Sequence, residues 1–156
     1  MQEANFGRIL FSNSATAGSL TAFTNNGSAV NGNHSGRIEF SDTSTAGSGT
    51  FVNNGSTVSN AYGGETFFGG ESTGGNATLI ANGGVNGGRG GTIFFFEYST
   101  GGTARVELFG NGALDISFLR LVRHVTVGSI EGNGLVFLGA NKLTVGSNNV
   151  STTFPE

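Results

Sequence analysis

Ten acidic side chains and two histidines are the groups in this 156-residue chain with the capacity for acid–base or metal chemistry. Glycosidic hydrolysis calls for two carboxyls about 5–10 Å apart, so the placing of the acids is decisive. An internal repeat sets that placing. It puts Glu39 beside Leu10 and Phe67, and Glu65 beside Arg37 and Thr92. It sets Asp42 against Gly70, and Glu71 against Thr43 and Tyr98. No column is expected to carry carboxylates on adjacent coils. Arg37 and Glu65 are expected to form an exposed cross-coil pair worth under about 1 kcal/mol. His34 falls in a polar side loop and His124 beside Arg123. Two lone histidines without an acidic cluster make a poor metal site, and both are read as solvated. Asp115 and His124 would need a marked serine nucleophile to form a triad, and none of the many serines is marked. Residues 83–91 (GGVNGGRGG) lack the Gly-Lys-Ser/Thr ending and the helix of a phosphate loop, so they read as a flexible coil side. Calcium-binding glycine-rich solenoids need a repeated Asp, which is absent. The expectation is a non-enzymatic chain with no catalytic, metal or cofactor-binding residue and no cofactor.

Contact chemistry is a different matter. Leu10, Glu39, Phe67 and Phe94 share a column expected to face outward, with Phe96 beside it. Aromatics on the outside of a rod can bind sugar or pack on another chain, unless a side loop or residues 113–124 cover them. Phe67, Phe94 and Phe96 are therefore the candidate surface contacts.

The elements that must position these residues are four repeat copies, at residues 7–27, 36–55, 64–83 and 91–112. Each reads Gly, a short apolar strand, a small-polar corner of the Ser-Thr-Ala-Gly type, a second strand, then Asn-Gly. The closing glycines Gly27, Gly55, Gly83 and Gly112 stand 28, 28 and 29 residues apart. A period of that length without helical patterning points to a solenoid. Ile9, Ile38, Thr66 and Ile93 form one inward column, and Phe11, Phe40, Phe68 and Phe95 the next. Coils about 4.8 Å apart would stack these four rings into a ladder, adding roughly 0.5–1.5 kcal/mol per pair beyond burial. Phe23, Phe51, Leu79 and Val106 are the inward column of the second strand.

Asn-Gly between antiparallel strands would signal a hairpin. Its fixed place in a long repeat favours a coil turn, with Asn26, Asn54, Asn82 and Asn111 stacked as an amide ladder. A third side, residues 28–35, 56–63 and 84–90, is polar and variable and reads as surface loop.

Composition agrees. The 29 glycines have no three-residue period, which excludes collagen, and 14 phenylalanines among β-formers argue against disorder. Only 11% of residues are charged and the net charge is −3. Among the basic residues only Arg120 and Arg123 stand close together, so no nucleic-acid-binding patch is expected. Cysteine is absent, and no run of 18 apolar residues offers a membrane span. The N-terminus lacks the basic and long apolar regions of a signal peptide, so an exported parent would make this chain a mature fragment. Residues 1–6 read as a lead-in.

The period shortens after Gly112. Residues 113–124 fit an amphipathic helix through Leu114, Phe118, Leu121 and Val122, or strands through their β-like flanks; strands are favoured. Residues 129–134, 135–138 and 142–145 read as short strands. Residues 150–156 look cut rather than capped, with Phe154-Pro155 beginning a further coil.

The run from Leu114 to Phe154, containing VTVGSIEGNGLVFLGANKLTVGSNNVSTTF, resembles repeat segments of large bacterial autotransporter-type β-helix proteins. The four upstream units resemble the repeats often found before such a segment. The resemblance implies a right-handed parallel β-helix, export to the cell surface, and an adhesive or structural role. The expected whole is a single all-β domain over residues 1–156, a β-solenoid with four long coils at 7–112 and shorter coils at 113–156. About six coils would make a rod roughly 30 Å long. It is expected to be an extracellular or cell-surface segment that self-associates through its open ends, with a surface glycan or protein as further partner. A carbohydrate-binding or polysaccharide-degrading β-helix is the alternative. Ice binding is disfavoured, because no Thr-x-Thr column repeats across the coils.

Overall fold

The computed structural model describes residues 6–119 and 121–154. The start of the lead-in (residues 1–5), Arg120 of the basic pair, and Pro155 and Glu156 of the expected further coil lie outside the described residues. Thirteen short strands follow one another: β1 (Arg8–Phe11), β2 (Ala22–Asn25), β3 (Arg37–Phe40), β4 (Thr50–Asn53), β5 (Glu65–Phe68), β6 (Thr78–Ala81) and β7 (Thr92–Phe95). Then come β8 (Arg105–Leu108), β9 (Ala113–Asp115), β10 (His124–Val127), β11 (Ser129–Gly132), β12 (Leu135–Phe137) and β13 (Lys142–Val145).

Every pairing is parallel, and successive partners lie one coil apart. One face is the six-stranded sheet β1-β3-β5-β7-β9-β12, and the second is the five-stranded sheet β2-β4-β6-β8-β11. The chain is thus a β-solenoid of about five turns, where about six were expected.

Strands β3 to β7 are four residues long and alternate inward and outward, so each sends two side chains to the core. Phe40, Phe68 and Phe95 are fully buried. Phe11, Phe40, Phe68 and Phe95 stack at 4.7, 4.9 and 4.8 Å between centroids, within 10° of parallel. Phe51 of the opposite sheet meets Phe40 edge-on at 5.5 Å, the other favoured aromatic geometry. Ile9 shares the inward column but stands in the outermost coil and is exposed, whereas Ile38 is buried.

The corner between the sheets is fixed by its threonines. Thr16, Thr45, Thr73 and Thr100 bridge one another in sequence along the rod. Each hydroxyl accepts the backbone N–H two residues on, at Gly18, Gly47, Gly75 and Gly102, at 3.0–3.3 Å. Gly47 has φ +62°, and a Cβ there would run into the Gly18 carbonyl of the coil before, so the stacked turn requires glycine. The serines before Thr45, Thr73 and Thr100 are buried; Ser99 Oγ donates to the carbonyls of Phe96 (2.7 Å) and Phe68 (3.0 Å).

One inward column begins with polar side chains. Asn25 and Asn53 are buried where Ala81 and Leu108 stand in later coils. Asn25 Nδ2 donates to Asn53 Oδ1 and to the Glu65 carbonyl, both at 2.8 Å, and Thr66 Oγ1 donates to Asn53 Oδ1 at 2.9 Å. Asn53 Nδ2 has no partner. The neighbouring asparagines form the expected amide ladder only in part. Asn54 donates to Asn26 at 3.0 Å and Asn82 to Asn54 at 2.9 Å. Asn111 leaves the column: its Nδ2 donates to the Gly88 carbonyl at 3.1 Å and its Oδ1 accepts from Gly84 N at 2.6 Å. The cause is register: Leu108 pairs with Ala81, so Phe109 takes the place after Asn82 and Asn111 falls two residues beyond it.

The third side is itself stacked rather than loose. Ser56 N donates to Arg89 O at 2.9 Å, Val85 N to Ser56 O at 3.0 Å and Asn60 N to Gly87 O at 3.1 Å. That side disappears after β8. The step from Arg8 to Arg37 is 29 residues and that from Thr92 to Ala113 is 21, yet partners stay paired residue by residue. The loss falls between the second strand and the next first strand: 11 residues separate β4 from β5, but four separate β8 from β9. Meanwhile the threonine corner widens into a true strand pair, β10 with β13. Residues 113–124, expected as strand and alternatively as helix, are strand at β9 and at His124, where β10 begins; residues 116–119 and 121–123 are neither strand nor helix.

Candidate functional site

Outward positions of the first sheet run Leu10, Glu39, Phe67, Phe94, Asp115 along the rod. Phe67 and Phe94 stack at 4.4 Å, 19° from parallel. Phe96 follows β7, and its ring lies 5.5 Å from Phe67 and 5.7 Å from Phe94. Phe118, in the loop that follows β9, continues the row, 6.0 Å from Phe96. Phe67, Phe94 and Phe96 are half-buried, neither free on the surface nor enclosed. The loop covers one end of the row and exposes apolar groups of its own: Phe118 is 52% and Leu121 57% accessible.

Beside the row lies an open groove of about 600 Å³. Its floor is Gly69 and Gly70; Glu39, Ser41 and Phe67 stand on one flank, Phe96 and Glu97 on the other, and Phe118 with Leu121 at the far end. Phe94 backs Phe67 without reaching the cavity. The groove exists because one coil omits side chains. At the same step of the repeat the neighbours carry Ser41-Asp42 and Phe96-Glu97, whereas the third coil carries Gly69-Gly70. A Cβ on Gly69 would fit without a clash, in ordinary contact with Glu97 Oε2 at 3.8 Å.

The turn behind the groove holds its carboxylates in place. Asn13, Asp42, Gly70 and Glu97 share left-handed backbone, with φ of 56°, 54°, 62° and 55°. Asp42 Oδ2 accepts from Asn13 N at 2.8 Å, and Glu97 Oε2 accepts from Gly70 N at 2.6 Å. Each acid thus anchors itself on the coil before it. Glu39 Oε2 accepts from Arg8 Nε at 3.0 Å. Arg37 pairs with Glu65 at 2.9 Å and lays its guanidinium over the Phe67 ring, 4.0 Å from the centroid. This pair is more sheltered than expected, since the Glu65 side chain is only 12% accessible.

The expectation that no carboxylates meet on adjacent coils is overturned at the second sheet. Glu107 and Glu131 lie opposite each other in β8 and β11. The 28-residue register does not reach Glu131, because the intervening coil is shorter. Arg105 bridges both acids, pairing with Glu107 at 3.1 Å and with Glu131. The hydrogen bond it donates to Glu131, and then the charge of Glu107, push the Arg105 guanidinium above its ordinary pKa. Both acids are therefore held by a permanent cation.

The remaining candidates do not assemble. His34 is not simply solvated: it stacks on Tyr62 at 4.9 Å and meets Phe6 at 5.6 Å, and Arg89 lies over the other part of the column, 4.2 Å from the Tyr62 centroid. His124 Nδ1 lies 2.8 Å from the Val122 carbonyl oxygen, while Asp115 Oδ1 accepts from Ser117 N and Oγ. Among the described residues no three His, Asp or Glu side chains gather as a metal site. Sequence reasoning missed Phe118, Leu121 and the glycine floor as parts of one cavity. The Gly-Gly at 69–70, where other copies carry side chains, was the available signal. No protein-family model matches this chain, and no curated protein or solved structure matches it either.

Proposed function

We propose that this chain is a non-enzymatic, extracellular solenoid segment, a stiff rod that presents an adhesive groove on its flank at a bacterial cell surface. The observation that carries this reading is the groove at Gly69-Gly70, an opening on the outer face of a rod whose inner face is stacked without a break. A concave apolar site with a few fixed polar groups is the usual form of a binding site. The stacked core makes it rigid, so little ordering is lost on contact. Beads coated with the protein test the reading under flow over glycan and protein matrices. Wild-type beads are expected to be retained and Gly69→Phe beads, whose groove is filled, to wash off. Equal retention of the two, or none on any matrix, would refute an adhesive groove.

A second reading, a polysaccharide-degrading protein, is favoured only by the facing acids Glu107 and Glu131. Arg105 already pairs with both of these carboxylates. Release of reducing sugar by the wild type, abolished in Glu107→Gln, would establish it. The rod is also proposed to join other copies through its outermost strands, whose outer edges carry no strand partner among the described residues. Light scattering should then show mass rising with concentration, whereas a constant monomer mass would rule this out.

A further inference from the structure

We infer that the groove takes a cation: a lysine or arginine side chain of an extended basic peptide. The inference rests on the groove being a binding site. Its described walls carry three aromatic rings, Phe96, Phe118 and Phe67, the last already under Arg37, and two carboxylates, of which Glu39 is paired with Arg8 while Glu97 has no ion-pair partner among the described residues. The electron-rich ring face attracts a guanidinium or ammonium within about 6 Å of its centroid. The aromatic row already does this within the chain, holding Arg37 on Phe67 at 4.0 Å. Arg89 on Tyr62 repeats the contact on the third side. Glu97 adds negative charge: Oε2 is spent on Gly70 N, which holds the carboxylate, and Oε1 has no hydrogen-bond donor among the described residues. A charge-assisted hydrogen bond to that oxygen would be short and strong. The net charge of −3 favours the approach of a basic partner over long range.

Size points to a peptide rather than an isolated head group. The walls reach from Ser41 in the second coil to Phe118 in the fifth. Three coil steps make roughly 14 Å, the length of about four extended residues. The long methylene stems of lysine and arginine also suit Leu121 and the ring edges, since such side chains bury the stem and pair the head.

Binding of a fluorescent tetra-arginine amide, followed by anisotropy, tests the inference. Arg120 lies outside the described residues, so Arg120→Gln is assayed in parallel with the wild type. At least one of the two is expected to bind saturably. Gly69→Phe in that background should bind about tenfold or more weakly, and Glu97→Gln about threefold to tenfold more weakly. Circular dichroism melts confirm that each variant folds. Raising salt from about 0.05 to 0.5 M should weaken the contact as the Debye length shrinks. A neutral oligosaccharide or a Ser/Leu tetrapeptide bound in a Gly69-dependent way, with tetra-arginine unbound, would keep the groove as a site and overturn the cationic ligand. Absence of any Gly69-dependent binding would overturn both.

Discussion

Replacing Phe68 by Ala removes the middle ring of the inner stack. Phe68 is fully buried and sandwiched, with Phe40 at 4.9 Å and Phe95 at 4.8 Å. A buried phenylalanine covers about 200 Å², which at roughly 25 cal/mol per Å² is an upper bound near 5 kcal/mol. Alanine retains part of that, while the cavity left behind adds a cost, so a loss of about 4 kcal/mol is expected. Phe11 supplies the internal comparison. It is half-buried and stacks on one ring, Phe40, at 4.7 Å. Phe11→Ala should therefore cost about 2 kcal/mol or less. Because each coil contacts only its neighbours, the inner substitution also weakens the link between the two halves of the rod. Urea denaturation followed by far-ultraviolet circular dichroism gives both midpoints. Equal losses for the two variants, or less than about 2 kcal/mol for Phe68→Ala, would refute a load shared along the stack.

Three further outcomes are expected. Asn53→Ala should cost about 1–3 kcal/mol by stripping Asn25 and Thr66 of their acceptor, whereas Asn25→Leu/Asn53→Ala/Thr66→Val together should cost less than the single change, both measured by urea denaturation. Gly91→Ala should destabilise by about 3 kcal/mol or more, because its Cβ would collide with the Asn53 carbonyl, while Gly7→Ala at the same step of the first coil meets nothing within 4 Å and should be neutral in a thermal melt. A double-mutant cycle should give Arg37 and Glu65 a coupling near 1 kcal/mol, and the more exposed Arg8 and Glu39 less than half of that.

The first eight strands were legible because four copies repeat the same apolar alternation, and a column of four phenylalanines has one physical reading. Asn25 and Asn53 were not legible as core residues. They occupy a column that continues as Ala81 and Leu108, and a polar side chain becomes tolerable there only through partners on another strand. Glu131 could not be set against Glu107 without knowing that the coil between them is short. The groove was half legible. Alternation turned Phe67 and Phe94 outward, but the cavity is made by absent side chains at Gly69-Gly70 and by a loop whose path no period predicts. His34 shows the same limit, since its stacking partner Tyr62 is a different residue type one coil away.

The changing length of the coils has a practical corollary. Between β8 and β9 the chain discards most of a flank, and the pairing on both main sheets continues undisturbed. That flank therefore works as a splice point, where residues can be added or removed without disturbing the register of the rings behind it. A foreign segment inserted at the exposed Ser59-Asn60 tip would be carried at a fixed height on the rod. A second one, at the exposed Asn86 of the next coil, would be carried roughly 4.8 Å above it. The molecule is in that sense a graduated scale, with one mark per coil.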